Sequence, residues 1–264
     1  MTARIPLLAL LAAAIVLSAC VAFPRRFVLP RPQPLLIYYG GGGSGSVGTQ
    51  AARLAAEFQG YPVVVFGIAV QSPALAAAVR KVAQHRRLYG YVDVGHVTMR
   101  EVRRHLGDLA RLRFQGVLLD DVGTALSAAP SRLQRIVDQA HRDGLFVLLN
   151  AWDPRELLSL RLRSGKDALL CENWVYADGA WHSPRTPAIY QALRLLQSRG
   201  VRVVMGVTGG QGPVAPAAIA SGVRRTVYRE VGNYVAVSGP NYSAQTDAVF
   251  PARALRRLLS STSF

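Results

Sequence analysis

Strand-like and helix-like runs alternate eight times between Leu35 and Ser260, and this repeat limits the fold more than any other feature of the chain. The strand runs are Leu35–Tyr39, Pro62–Phe66, Leu88–Asp93, Gly116–Asp120, Leu145–Asn150, Asp167–Cys171, Val201–Val207 and Tyr234–Val237. The helix runs are Gly48–Phe58, Pro73–His85, Thr98–Leu112, Ser131–Arg142, Pro154–Arg163, Pro187–Ser198, Pro216–Tyr228 and Pro251–Ser260. Stretches such as Val117-Leu118-Leu119 and Phe146-Val147-Leu148-Leu149 are apolar without alternation, the pattern of parallel strands covered on both faces.

Alternating β and α runs make either an open doubly wound sheet or a closed barrel. Eight units in 264 residues favour closure, since a (β/α)8 barrel takes about 250 residues. The open alternative is weakened by the glycine-rich stretch after the first strand. Gly40–Gly48 lacks the G-x-G-x-x-G spacing that leads into a helix, and no acidic residue ends the second strand. The expected fold is therefore α/β, a single (β/α)8 TIM barrel over residues 35–264.

The N-terminus reads as a targeting segment. Arg4 is followed by an uncharged apolar run, Ile5–Val16, and then by Leu17-Ser18-Ala19-Cys20, the pattern of a bacterial lipobox. Residues 1–19 are expected to be a lipoprotein signal peptide, and Cys20 the lipidated residue. Residues 20–34 carry prolines and arginines and are expected to form a tether. Several acyl chains anchor stably, because each buried CH2 contributes about 0.8 kcal/mol. This predicts an exported protein held at the cell envelope. The second cysteine, Cys171, then has no disulfide partner and reads as a small core residue.

The formal charge is +16, and nearly all of the positive charge is arginine. The basic residues are spread over many helix runs, with no aromatic-interleaved stripe and no nucleic-acid motif. This argues against nucleic acid as a partner and for a solvated cationic surface compatible with an anionic membrane.

In such barrels chemistry sits at the C-terminal strand tips. The polar residues there are Tyr38 and Tyr39 on the first strand, and Tyr91 and Asp93 on the third, with His96 just beyond. The fourth ends in Asp120 and Asp121, and the fifth in Asn150, followed by Trp152. The sixth leads into Glu172, Asn173, Trp174 and Tyr176. The chain has only 15 acidic residues, so this concentration of carboxylates exceeds what stability requires. Backbones two strands apart lie roughly 10 Å from each other. Side chains leaning over the axis bring Asp120 and Glu172 toward the 5–9.5 Å used by glycosidase carboxylate pairs. The aromatic residues suit stacking on sugar rings. The five histidines show no metal-ligand spacing along the sequence, so neither metal nor cofactor is expected.

The segment Phe114-Gln115-Gly116-Val117-Leu118-Leu119-Asp120-Asp121 resembles the fourth-strand "GFDGVFLD" motif of two related barrel groups, the endo-α-1,4-polygalactosaminidases and the spherulin-4-like glycosidases. Leu88–Gly95, Leu148-Leu149-Asn150 and Leu170-Cys171-Glu172-Asn173 are similar to their third, fifth and sixth strands. The resemblance implies a retaining glycoside hydrolase with Asp120 and Glu172 as the catalytic pair. From their places at the strand tips, sugar contacts are expected from Tyr38, Tyr39, Tyr91, Asp93, Asp121, Asn150, Trp152, Asn173, Trp174 and Tyr176. The chain departs from the pattern at Gly123, where an acid is common, and at His96, where a glutamate is common. A cationic protein repels a cationic polymer, so a neutral, N-acetylated or anionic polysaccharide fits better than deacetylated polygalactosamine. The expected partner is an envelope or extracellular polysaccharide, and the expected state is a monomer. The alternative is a lipoprotein of the same fold that binds a glycan or scaffolds the envelope without turnover.

Overall fold

The computed structural model describes residues 33–40, 43–83, 87–123, 129–177, 180–181, 186–207, 233–237 and 252–260. Only the backbone is described at 172–177, 180, 181, 207, 237 and 258. By internal contacts the chain divides into Met1–Pro30 and Arg31–Phe264. The first unit, with the expected signal peptide and Cys20, lies outside the described residues. The expected helix Pro216–Tyr228 also lies outside them. Among the described residues no helix is long and apolar enough to cross a membrane.

The second unit is a closed parallel barrel. Its strands are β1 (Gln33–Tyr38), β2 (Val63–Phe66), β3 (Arg87–Asp93), β4 (Gly116–Val122), β5 (Phe146–Ala151), β6 (Ala168–Ala177), β8 (Arg202–Val207) and β9 (Tyr234–Val237). A two-residue strand, β7 (Ala180–Trp181), pairs antiparallel with the end of β6. The ladder runs β5-β4-β3-β2-β1-β9-β8-β6, and pairing of β5 with β6 closes it. The helices are α1 (Val47–Glu57), α2 (Pro73–Val82), α3 (Met99–Arg111), α4 (Pro130–Arg142), α5 (Pro187–Ser198) and α6 (Ala252–Ser260). The eightfold alternation has produced the expected (β/α)8 barrel.

Two apolar layers result from the two-residue period of a strand. Leu36, Val64, Leu88, Val117, Leu119, Val147, Leu149, Leu169 and Val203 face outward and pack under the helices. Leu35, Ile37, Val65, Tyr89, Leu118, Leu148, Leu170 and Val204 fill the barrel interior. Cys171 belongs to the outer layer and is fully buried, as expected of a core cysteine.

Helix termini follow local chemistry. Thr98 caps α3: its hydroxyl oxygen accepts from the Glu101 amide, and its own amide donates to the Glu101 carboxylate. Proline stands at the start of α2, α4 and α5, where its missing N–H costs nothing. Gly116 is required by close approach: a Cβ there would lie 2.6 Å from the Tyr89 ring and 2.8 Å from the Phe146 carbonyl oxygen.

The expected helix Pro154–Arg163 does not form. A single 3-10 turn, Pro154–Leu157, takes its place. The backbone beyond it finds tertiary partners instead of helical ones. The Arg161 amide donates to Gln134 Oε1 at 2.8 Å, and the Arg163 amide to Asp167 Oδ2 at 2.6 Å. The Leu158 carbonyl accepts from Arg199 at 2.5 Å. With those groups satisfied, a helix has nothing to add. The sixth strand is also longer than its expected span Asp167–Cys171, with a register irregularity between Cys171 and Tyr176.

The N-terminal end of the barrel is closed by Asp167, whose side chain is fully buried. It accepts from the amides of Val147 (3.1 Å) and Arg163 (2.6 Å), and it pairs with His141 Nε2 at 2.9 Å. This end of such barrels serves stability rather than chemistry.

Candidate functional site

Three consecutive strands bring one carboxylate to the centre of the barrel mouth. Asp120 follows Leu118 on the inward face of β4, while Leu119 between them points outward. Tyr91 stands on β3, beside Leu118 in the register. Its hydroxyl donates to Asp120 Oδ2 at 2.7 Å. Asn150, two residues beyond the inward Leu148 on β5, donates from Nδ2 to Asp120 Oδ1 at 2.6 Å. Both carboxylate oxygens are thus acceptors for neutral donors.

Tyr91 is held as a neutral donor. Burial, then its hydrogen bond to Asp120 and the charge of Asp120, push its phenol far above the usual tyrosine range. Tyr39 packs edge-on against it, with ring centroids 5.3 Å apart. The inner layer below continues through Tyr89, whose hydroxyl burial pushes up to about 12.

A second group lies alongside. Asp93 is the register partner of Asp120 on β3. Its Oδ1 accepts from the amides of Gly95 and His96, each at 3.1 Å, which curls the chain beyond the strand into a tight turn. That turn returns the His96 ring onto the Asp93 carboxylate, with Nδ1 at 3.0 Å from Oδ1 and 2.9 Å from Oδ2. Asp121 reaches the same ring nitrogen, 3.3 Å from its Oδ2.

Asp120 and Asp121 are consecutive, so a regular strand would send them to opposite faces. Asp121 escapes that rule because its backbone is left-handed, with φ of 53°. The β4–β5 register shifts between Leu119 and Val122 at the same place. Burial, then the charges of Asp120 and Asp93, raise the Asp121 carboxyl above the usual aspartate value. The His96 imidazole is raised by its hydrogen bond to Asp93 and by that group's charge.

The turn carrying His96 is clamped from outside. The Arg132 guanidinium, on α4, donates to the carbonyls of Val94 (2.5 Å) and Val97 (2.6 Å).

Of the residues expected at the site, the mouth brings together Tyr39, Tyr91, Asp93, Asp120, Asp121 and Asn150. Tyr38 is corrected. It is 2% exposed in the outer layer, stacked on Phe66 and edge-on to Phe58. With Ile37 inward, its neighbour on the strand must face outward. Trp152 stands after the end of β5 and is 68% exposed. Glu172, Asn173, Trp174 and Tyr176 lie on the β6 backbone, and their side chains fall outside the described residues. The reading of the histidines changes as well. Spacing among histidines alone shows no ligand set, but His96 gathers with Asp93 and Asp121, and one ligand atom from each lies within 4.8 Å of the others. The Asp93–His96 spacing of three was the one available signal. Nothing in the sequence pointed to Arg132.

No protein-family model matches the chain, and no curated protein sequence matches it. Among solved structures, an archaeal Rubisco aligns with a TM-score of 0.55 at 13% identity over 89% of this chain; the match spans 60% of the Rubisco chain. A 3-hexulose-6-phosphate synthase aligns with a TM-score of 0.51 at 15% identity, covering 86% of this chain and 99% of that one. The 3-dehydroquinate dehydratase of Geobacillus kaustophilus aligns with a TM-score of 0.51 at 12% identity, covering 86% and 90%. At these identities the likeness is one of fold, the (β/α)8 barrel.

Proposed function

We propose that the barrel mouth is a catalytic site that hydrolyses glycosidic bonds of a polysaccharide, with Asp120 as its anionic carboxylate. The observation that carries this reading is the double acceptance at Asp120, from Tyr91 and from Asn150. Donors on both oxygens occupy and orient the carboxylate as an acceptor. Glycosidic cleavage needs one such carboxylate facing the anomeric carbon, where positive charge develops. Neither oxygen of Asp120 is disposed to give a proton, so the role left for it is nucleophile or base. The proton donor of this reading is Glu172, two residues beyond the inward Leu170 on β6.

In the retaining version Asp120 attacks the anomeric carbon as Glu172 protonates the departing glycosidic oxygen. Glu172 then takes a proton from water, and that water releases the sugar from Asp120. Tyr39, Tyr91 and the exposed Trp152 offer aromatic surface for sugar faces. The strongly cationic chain favours a neutral, N-acetylated or anionic polymer. Lipid attachment at Cys20 would keep the barrel at the envelope, next to such polymers.

The test is hydrolysis of a panel of amino-sugar and acidic polysaccharides, with the anomer of the first product read by NMR. Asp120→Asn and Glu172→Gln are each expected to lose at least 1,000-fold in kcat, a loss in line with removal of a group that acts on the reacting atoms. Wild-type rates in both variants would reject the assignment. Binding of a polysaccharide without turnover by the intact chain would replace it with a glycan-binding function.

A further inference from the structure

We infer that Asp93, His96 and Asp121 form a binding site for one divalent cation of the Mn2+ or Zn2+ class at the barrel mouth. This goes beyond the hydrolytic reading and does not depend on it.

The first argument is stoichiometry. His96 Nδ1 faces Asp93 Oδ1 at 3.0 Å, Asp93 Oδ2 at 2.9 Å and Asp121 Oδ2 at 3.3 Å. A ring nitrogen carries at most one proton, which a three-centre bond shares between two acceptors, so three facing carboxylate oxygens outnumber what it serves. A single divalent ion in that space takes one atom from each residue.

The second argument is distance. With bonds of about 2.1 Å, two ligands at right angles are about 3.0 Å apart, and two at the tetrahedral angle about 3.4 Å. The nitrogen-to-oxygen separations of 2.9 and 3.3 Å already match the edges of such a polyhedron. The three ligand atoms all lie within 4.8 Å of one another.

The third argument is charge. The chain has 31 basic residues, yet the described ion pairs of Asp93 and of Asp121 are both with His96 and not with arginine. Asp120 adds a further carboxylate in the neighbouring register position. Among the described residues, three carboxylates and one imidazole meet here on a strongly positive protein. A bound dication neutralises those carboxylates where a fixed arginine side chain does not.

The fourth is preorganisation. Arg132 clamps the carbonyls on either side of Gly95-His96. The Asp93 carboxylate holds the amides of the same turn. The three ligands therefore stand on a braced turn and two paired strands. The His96 side chain is 71% exposed, so solvent or substrate reaches the remaining positions. Two oxygens and one imidazole nitrogen suit Mn2+ or Zn2+, whereas Ca2+ takes six to eight oxygens.

The experiment is a calorimetric titration of the full chain, first stripped with a chelator, using Mn2+ and Zn2+ separately. Bound Mn2+ is also read by the loss of its free-ion EPR signal. One equivalent is expected to bind. His96→Ala, which removes a mostly exposed side chain, and Asp121→Asn are each expected to weaken binding at least 10-fold. His105→Ala, on α3 and away from the turn, is expected to leave it unchanged. Failure of the stripped wild-type chain to take up either ion would overturn the inference. So would an affinity that His96→Ala and Asp121→Asn both leave intact.

Discussion

The Tyr91 hydroxyl donates to Asp120 Oδ2 across adjacent strands at 2.7 Å, and Asn150 holds the other oxygen from the opposite side. A hydrogen bond to a charged group contributes about 1.5–3 kcal/mol. Tyr91→Phe is therefore expected to lower kcat about 10- to 100-fold, since each 1.4 kcal/mol is a factor of ten. The phenyl ring still packs on Tyr39, but loss of the bond to Asp120 should also lower the melting temperature by several degrees. Unchanged kcat on a hydrolysed polysaccharide would show that Asp120 needs only one donor.

At the opposite end of the barrel, Asp167 ties β5, β6 and α4 together through Val147, Arg163 and His141. Asp167→Ala strands two backbone amides and a mostly buried imidazole. Leaving a buried donor unsatisfied costs about 1–3 kcal/mol. Urea denaturation should show the loss as a lower midpoint. Asp167→Asn, which keeps one acceptor oxygen, should fall between the two. Neither change touches the mouth, so any folded fraction should retain its metal titration.

The capping box of α3 gives a pH prediction. The Glu101 carboxyl is held below its ordinary value by hydrogen bonds from the Thr98 amide and hydroxyl. A depressed folded-state value means that the contribution is present above the unfolded value of 4.5 and is lost as pH falls through the folded value. The melting temperature of the wild type should therefore exceed that of Glu101→Gln at neutral pH. The gap should shrink as the pH is lowered below 4.5. A gap that stays constant down to acid denaturation would mean the cap acts without its charge.

Gly116 tests the packing inside the sheet. An alanine Cβ would meet a rigid neighbour, the Phe146 carbonyl oxygen, at 2.8 Å and the Tyr89 ring at 2.6 Å. Overpacking of this kind costs about 1–3 kcal/mol. Gly116→Ala is expected to lower the denaturation midpoint accordingly, because β4 cannot move away from β5 without breaking its ladder.

The strands were legible because they are continuous apolar runs punctuated by proline and glycine, and their count limits the topology. The site was legible only as far as strand tips can be read. Asp120, Asn150 and Tyr91 lie on strands whose inward residues alternate regularly, so position along the strand tells direction. Tyr38 was misread because two adjacent tyrosines were both sent to the mouth, although the pleat allows one. Asp121 was expected at the mouth and stands there, but only because its left-handed backbone suspends the alternation, which no local residue pattern announces. The segment after Asp153 was misread as helix because its leucines have helical spacing. The Arg161 amide is satisfied by Gln134 on α4, 27 residues away, and the Arg163 amide by the Asp167 side chain rather than by a helical carbonyl.

Arg132 supplies the last prediction, because it joins the outer helices to the barrel mouth. Its two donors reach the carbonyls of Val94 and Val97, which bracket the turn that carries His96. Arg132→Ala releases that turn without removing any ligand or catalytic group. Amide hydrogen exchange at Gly95, His96 and Val97 is expected to speed up at least 10-fold, while β3 and β4 keep their protection. Metal affinity should fall with it, because the free turn must then be ordered on binding. Lysine has a single ammonium in place of the planar fork and cannot reach both carbonyls with the same geometry. Arg132→Lys should therefore recover only part of the protection. If exchange at the turn is unchanged in Arg132→Ala, the Asp93 carboxylate alone orders it, and the reach of α4 to the site is structural coincidence.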